Sequence, residues 1–240
     1  MSLEIYAKDL PSSYFFSSKT PKIDRYFYAL ISLVGIFSII FALWPLVAWQ
    51  VRTMPKLTSA ISAIPVPQSE VLSKSSGYVQ NVQVIKDPDG FSYFTTNYKP
   101  QGPRPKEFYI TIPKLKILDA VVKVDNLNLN QNLSHFPGSA LPGEVGNVFI
   151  TGHSVLPQFN DPKNYSTIFT KLPDLEIGDK VEVTVEGKTS EYLVQYAKVI
   201  DPQDVSVLAP ISAYGKNLTL MTCVPPGTSL KRLVVVTSLI

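Results

Sequence analysis

The chain has one cysteine, Cys223, in 240 residues. It therefore has no internal disulfide, which excludes a small disulfide-stapled scaffold. Histidine is nearly as scarce, with His135 and His153 the only two. Any imidazole chemistry must use one of them. The basic residues are scattered and the formal net charge is only +3. That lacks the concentrated positive patch expected of a nucleic-acid binder. No internal repeat and no amphipathic helix of useful length can be read. Glycine, at 12 residues, is outnumbered by 20 prolines, a balance that suits rigid loops and linkers better than low-complexity disorder. Acidic side chains form no compact cluster, since Glu144, Asp161 and Asp174 are dispersed. No cofactor or metal is indicated, although calcium stays open.

Charge is absent altogether from Tyr26 to Val51. As a helix, this run would be roughly 39 Å long at 1.5 Å per residue. That exceeds a hydrocarbon core of roughly 30 Å and allows some tilt. Tyr26 and Tyr28 at one end, and Trp44 and Trp49 at the other, suit the two membrane–water interfaces. A cleaved signal peptide has a shorter apolar core ending in small residues, so the run reads as an uncleaved anchor over 26–51. Lys8, Lys19, Lys22 and Arg25 precede it, whereas only Arg52 and Lys56 follow closely. The positive-inside rule then makes residues 1–25 cytoplasmic and everything after Val51 extracellular, a single-pass protein of the cell membrane.

Beyond the anchor, the proline- and serine-bearing stretch from residue 52 reads as a stalk within the 52–105 region. Two β-rich runs, Tyr78–Ile85 and Phe91–Thr95, flank Lys86-Asp87-Pro88-Asp89-Gly90 and predict a hairpin. Whether it packs on the following domain is open. Phe91, Tyr93 and Phe94 are candidates for its core or for a lid. From 106 to 240 the pattern is all-β. Strands are expected at Phe108–Ile112, Ala120–Val124, Asn147–Gly152, Lys180–Val185, Ser190–Ile200, Asn217–Thr222 and Lys231–Ser238. Short helical turns are expected at Tyr165–Leu172 and Asp204–Leu208. Many short strands in one such region imply a closed barrel or a sandwich with its own core.

The lone thiol has a setting that suits chemistry. Cys223 ends Thr219-Leu220-Met221-Thr222-Cys223, Arg232 follows nine positions later, and His153 closes Thr151-Gly152-His153 seventy positions before. The thiolate is the reactive form of cysteine, and an adjacent cation favours it. A free thiol kept in an oxidising compartment is a liability unless it is used. Residues 219, 221 and 223 share one strand face and 218 and 220 the other. The prolines after Val224 must stop the ladder.

These residues also carry a resemblance. Ile112-Pro113-Lys114-Leu115, His135 to Glu144, Gly146-Asn147-Val148-Phe149-Ile150-Thr151-Gly152-His153-Ser154, and Thr219 to Gly227 followed by Lys231-Arg232-Leu233 resemble successive blocks of the sortase family. The resemblance implies an eight-stranded sortase-like β-barrel behind the one transmembrane helix. It implies a cysteine transpeptidase that cuts an LPxTG-like sorting signal between Thr and Gly, holds the acyl group as a thioester, and passes it to an amine. The acceptor would be a cell-wall precursor or a pilin lysine, and the outcome proteins anchored to the cell surface. By match to the motifs, Cys223 is the nucleophile, His153 the general acid/base, and Arg232 the group steadying the oxyanion. Thr151, Ser154, Thr222 and His135 are candidate substrate contacts, His135 also being a candidate structural residue and the one competitor for the acid/base role. The chain ends soon after its last strand without a second apolar span, and its Pro-Gly-rich 137–143 block resembles the housekeeping-like and class D–E types more than the pilin type.

Three other readings stand beside this one. The L,D-transpeptidases also use Cys, His and Arg, but their Ser-His-Gly-Cys-x-Arg core is missing here. A surface binding barrel with an idle thiol would be non-catalytic. A predominantly hydrolytic cysteine peptidase would accept water in place of the amine.

Overall fold

The computed structural model describes residues 25–52, 82–86, 92–97, 102–129, 131–212 and 214–240. The N-terminal 24 residues, the stalk between 53 and 81, and the hairpin turn at 87–91 lie outside these. Helix α1 runs from Arg25 to Arg52. Its stretch Tyr26–Trp44 is long and apolar enough to cross a membrane. Side chains such as Phe37, Phe41 and Leu33 stand exposed on it.

The rest is β-rich. A two-stranded antiparallel hairpin, β1 (Val82–Lys86) and β2 (Ser92–Thr96), comes first. Eight strands follow: β3 (Glu107–Ile112), β4 (Ile117–Lys123), β5 (Leu133–His135), β6 (Gly146–Thr151), β7 (Lys180–Val185), β8 (Lys188–Ile200), β9 (Lys216–Val224) and β10 (Lys231–Leu239). They close into one barrel in the order β10-β8-β7-β3-β4-β5-β6-β9. Closure leaves no barrel strand with an unpaired edge.

Seven of the eight match the expected strands to within a few residues. The eighth, β5, falls in a stretch that reads as loop. It has three residues, all buried, so it has no inside–outside alternation to betray it. Of the expected helical turns, residues 165–171 form successive turns leading into a 3-10 helix at Leu172–Asp174. The other is a 3-10 helix at Val205–Leu208, capped where Asp204 accepts from the Ser206 amide. Two further 3-10 turns, Pro113–Leu115 and Pro157–Phe159, have no counterpart among the expectations. Each starts on proline, whose fixed φ suits a first helical position.

Two hydrophobic clusters lie on opposite sides of the barrel wall. The interior one includes Phe108, Ile110, Val148, Ile150, Leu218, Leu220, Leu233 and Val235. The outer one joins Phe94 of the hairpin to Phe136, Phe149, Ile200, Val207, Leu208, Met221 and Val234. The open question about the hairpin is thereby answered, because β2 packs against the outside of the barrel. Phe94 is 5% exposed and its ring lies 6.2 Å from that of Phe149. Tyr93, on the alternate face of β2, is exposed.

Truncating Phe94 removes the buried ring by which the hairpin joins the outer cluster. Phe94→Ala should destabilise the β-rich region by about 3 kcal/mol, the usual cost of a buried Phe→Ala change. Urea unfolding followed by tryptophan-independent far-UV dichroism would measure it, and a loss below the scatter would mean the hairpin is not integral to the fold.

Candidate active site

Alternation along β9 decides which way its side chains point. Leu218, Leu220 and Val224 belong to the interior cluster, while Met221 belongs to the outer one. Cys223 therefore shares the outer face with Met221 and is partly exposed. On β10, Leu233 and Val235 point inward and Val234 outward, which puts Arg232 on the outer face as well. The antiparallel register pairs Arg232 directly with Cys223. Directly opposed residues have Cβ atoms about 5 Å apart. Arg232 is only 3% exposed, and its Nη1 donates to the carbonyls of Ser229, at 2.9 Å, and Lys231, at 3.1 Å. Those bonds fix the plane of the guanidinium.

His153 arrives from the other side of β9. Strands β6 and β9 are parallel, and their register pairs residues seventy positions apart, from Gly146 with Lys216 to Thr151 with Met221. The run continues past the end of β6, where the Gly152 amide donates to the Met221 carbonyl at 3.1 Å. Carried on, that register sets His153 level with Cys223. The Phe169 amide donates to the His153 carbonyl at 3.0 Å. Gly152 has to be glycine, since a Cβ there would lie 2.6 Å from both Leu133 Cδ2 and Phe169 Cδ2. Gly227, in the β9–β10 loop, has φ +82, and a Cβ on it would meet Leu156 Cγ at 2.9 Å. The loop after His153 thus packs closely on the loop after Cys223. The sequence shows both glycines but not why they are needed.

The four remaining candidates fall into two groups. Thr151, Ser154 and Thr222 lie around the trio, and each turns its hydroxyl to a backbone carbonyl: Ser134 at 3.4 Å, Cys223 at 2.7 Å and Gly152 at 2.8 Å, respectively. His135 lies elsewhere. It is 0% exposed on β5, edge-on to Phe108 with ring centroids 5.8 Å apart. Its Nε2 lies 2.9 Å from the Ala140 carbonyl and 2.9 Å from Ser139 Oγ, and the Asp125 amide reaches Nδ1 at 3.3 Å. That network suits the neutral Nε2–H tautomer. His135 is thus fully buried with both ring nitrogens engaged, away from the surface that Cys223 shares.

Burial also sets the electrostatics. It pushes the Cys223 thiol above its ordinary range, opposed by the Arg232 charge, and it lowers the His153 imidazole. Burial thus works against the charged form of both groups, and Arg232 alone works for the thiolate. His135 is driven down to about 4, chiefly by burial and against the pull of the Ala140 carbonyl.

The barrel and its outer face define a class: a closed β-barrel holding a partly exposed thiol between an arginine and a histidine. The chain belongs to the sortase family, its residues 110–240 matching the Sortase domain. It is 26% identical over 117 residues to Sortase D of Bacillus subtilis (strain 168), covering 48% of this chain and 53% of that protein. Over 143 residues it is 29% identical to Sortase A of Staphylococcus aureus (strain NCTC 8325 / PS 47), covering 52% and 60%. The chain thus spans little more than half the length of these curated relatives. Among solved structures, a lid mutant of Sortase A from Corynebacterium diphtheriae superposes with a TM-score of 0.51 at 28% identity, over 72% of this chain and 93% of that one.

Two predictions follow from the charges. A histidine with a lowered folded pKa costs stability as pH falls from the unfolded value, 6.5, to the folded one, about 4. His135 should remove up to about 3 kcal/mol across that window, at about 1.4 kcal/mol per unit, and His135→Gln should flatten the profile in urea titrations at pH 7, 5.5 and 4. The second concerns the thiol. Since Arg232 lowers the Cys223 pKa, Arg232→Met should slow iodoacetamide labelling of Cys223 at pH 8, and equal rates would show that the pair does not interact.

Proposed function

We propose that this protein is a membrane-anchored cysteine transpeptidase acting on LPxTG-like sorting signals. The observation that carries the proposal is the direct register pairing of Cys223 with Arg232, with His153 level on the opposite flank. Acyl transfer needs a group that attacks well and also leaves well, and a thiolate does both. In the first half-reaction Cys223 Sγ attacks the Thr carbonyl of the sorting signal as its proton passes to His153. The C–N bond to Gly breaks, and His153 returns the proton to the departing amine. In the second, an incoming amine gives a proton to His153 and attacks the thioester, the C–S bond breaks, and the thiol is regenerated.

The guanidinium of Arg232 is planar and presents its donors in a fixed fork. Held by the Ser229 and Lys231 carbonyls beside Cys223, it stabilises negative charge on the tetrahedral oxygen, which exists only along the reaction path. Burial lowers the imidazole and raises the thiol, so it disfavours the charged form of both groups. The rate should peak between the lowered imidazole pKa and the raised thiol pKa.

Helix α1 would hold the enzyme at the membrane, its N-terminus inside and the barrel on the outer surface, where surface-protein precursors emerge. The acceptor would be an amine of a cell-wall precursor or of a pilin subunit.

The test uses the full chain in detergent micelles with a library of LPxTG-like peptides and amine acceptors, read by mass spectrometry. The expected result is an acyl adduct on Cys223 that moves to the amine, with none formed by Cys223→Ala. Arg232→Lys should lower kcat by roughly 100-fold or more, the usual loss for one oxyanion donor. Transfer to water alone would identify a hydrolytic peptidase. No adduct together with an inert thiol would identify a binding barrel.

A further inference from the structure

The β6–β9 ladder stops as backbone pairing just before the site, and side-chain hydroxyls take it over. The last paired residue of β6 is Thr151. Beyond it, Thr222 Oγ1 donates to the Gly152 carbonyl at 2.8 Å and Ser154 Oγ donates to the Cys223 carbonyl at 2.7 Å. One bond runs from β9 to the residue before His153, and the other from the residue after His153 to the nucleophile. Thr222 is 3% exposed, so its hydroxyl has no competing water and its bond is correspondingly hard to replace.

We propose that Ser154 and Thr222 are positioning residues, two hydroxyl bridges that hold His153 in register with Cys223 after the strand has ended. They act through the backbone and not on the substrate. Three features support the assignment. Both donors are spent on carbonyls inside the protein, in place of pointing outward. The bridges bracket His153 on either side. The segment is further pinned from behind, where the Phe169 amide donates to the His153 carbonyl at 3.0 Å and Thr170 Oγ1 accepts from the Val155 amide at 3.0 Å. Without the bridges, the residues between Thr151 and Val155 keep the Gly152 amide bond to β9 but lose the two side-chain bonds that flank His153. A small misplacement of a proton-transfer group is costly, since productive geometry tolerates a fraction of an ångström.

This inference rests on the transpeptidase reading for its kinetic arm and is independent of it in its labelling arm. Thr222→Val keeps the shape of the side chain and removes only the donor; Ser154→Ala does the same at 154. In the full chain, the double variant should lose about 30-fold or more in kcat with KM changed less than about 2-fold, the pattern of an interaction needed only in the reaction step. Thr222→Ser, which restores a hydroxyl, should recover most of the rate. A raised KM at unchanged kcat would instead make the hydroxyls substrate contacts and overturn the proposal. So would near-wild-type kinetics in the double variant.

Should no peptide be turned over, the reading of function fails but the bridges remain testable by iodoacetamide labelling of Cys223 against pH. His153→Ala should remove an inflection from the wild-type profile, and the double variant should remove the same one. Persistence of the inflection in the double variant would overturn the proposal. So would a His153→Ala profile identical to wild type, because there would then be no coupling to maintain.

Discussion

The parallel pairing of β6 with β9 is the constraint on which the site depends. Its offset of seventy residues sets His153 level with Cys223, and side chains alternate faces along both strands. A slip of one residue would turn Cys223 into the barrel interior and bring Thr222 to the surface, because strand periodicity is two. The interior cluster prevents it, since Leu218, Leu220 and Val224 would have to leave apolar surroundings. Packing inside the wall thus holds the chemistry outside it. The antiparallel β9–β10 register then sets Arg232 beside the same sulfur.

What could be read in the sequence follows from how local each feature is. Lys180–Val185 and the long run ending at Ile200 alternate in character and are flanked by turn residues, so β7 and β8 were plain. The three buried residues of β5 give no such signal. Cys223 and Arg232 sit nine positions apart around a proline-glycine loop, and their pairing across a hairpin-like return is a short-range inference. The partnership with His153 is different. A parallel crossover that carries two other strands leaves no trace in local periodicity, so the partnership rests on the strand-end position of His153 and on the resemblance of the Thr-Gly-His-Ser block. His135 and His153 are the same residue type in similar-looking blocks, yet one is sealed against Phe108 and the other stands at a strand end. Nor could the hydroxyls of Thr151, Ser154 and Thr222 be assigned, since a donor that faces a carbonyl and one that faces a ligand look alike in sequence.

The outer cluster ties the N-terminal hairpin to the same wall. Met221 lies two residues before Cys223 and Val234 two residues after Arg232, and Phe94 joins their cluster. Packing on one side of the site and the interior core on the other clamp β9 and β10 between them. A close-packed wall of this kind transmits volume changes to its neighbours, so core substitutions at Phe149 or Val234 would be felt by Cys223 and Arg232 as well as in stability.

The order of the strands in the barrel also has a bearing on timing. Arg232 belongs to β10, which pairs with both β8 and β9 and thereby completes the ring. His153 meets β9 only through a contact of long sequence separation, the kind that forms slowly because a large loop must close first. A chain in which β6 has not yet met β9 accordingly carries its thiol without the histidine that completes the site. The full set of thiol, guanidinium and imidazole is therefore assembled only when that long-range pairing forms, so the site is among the last parts of the barrel to be completed.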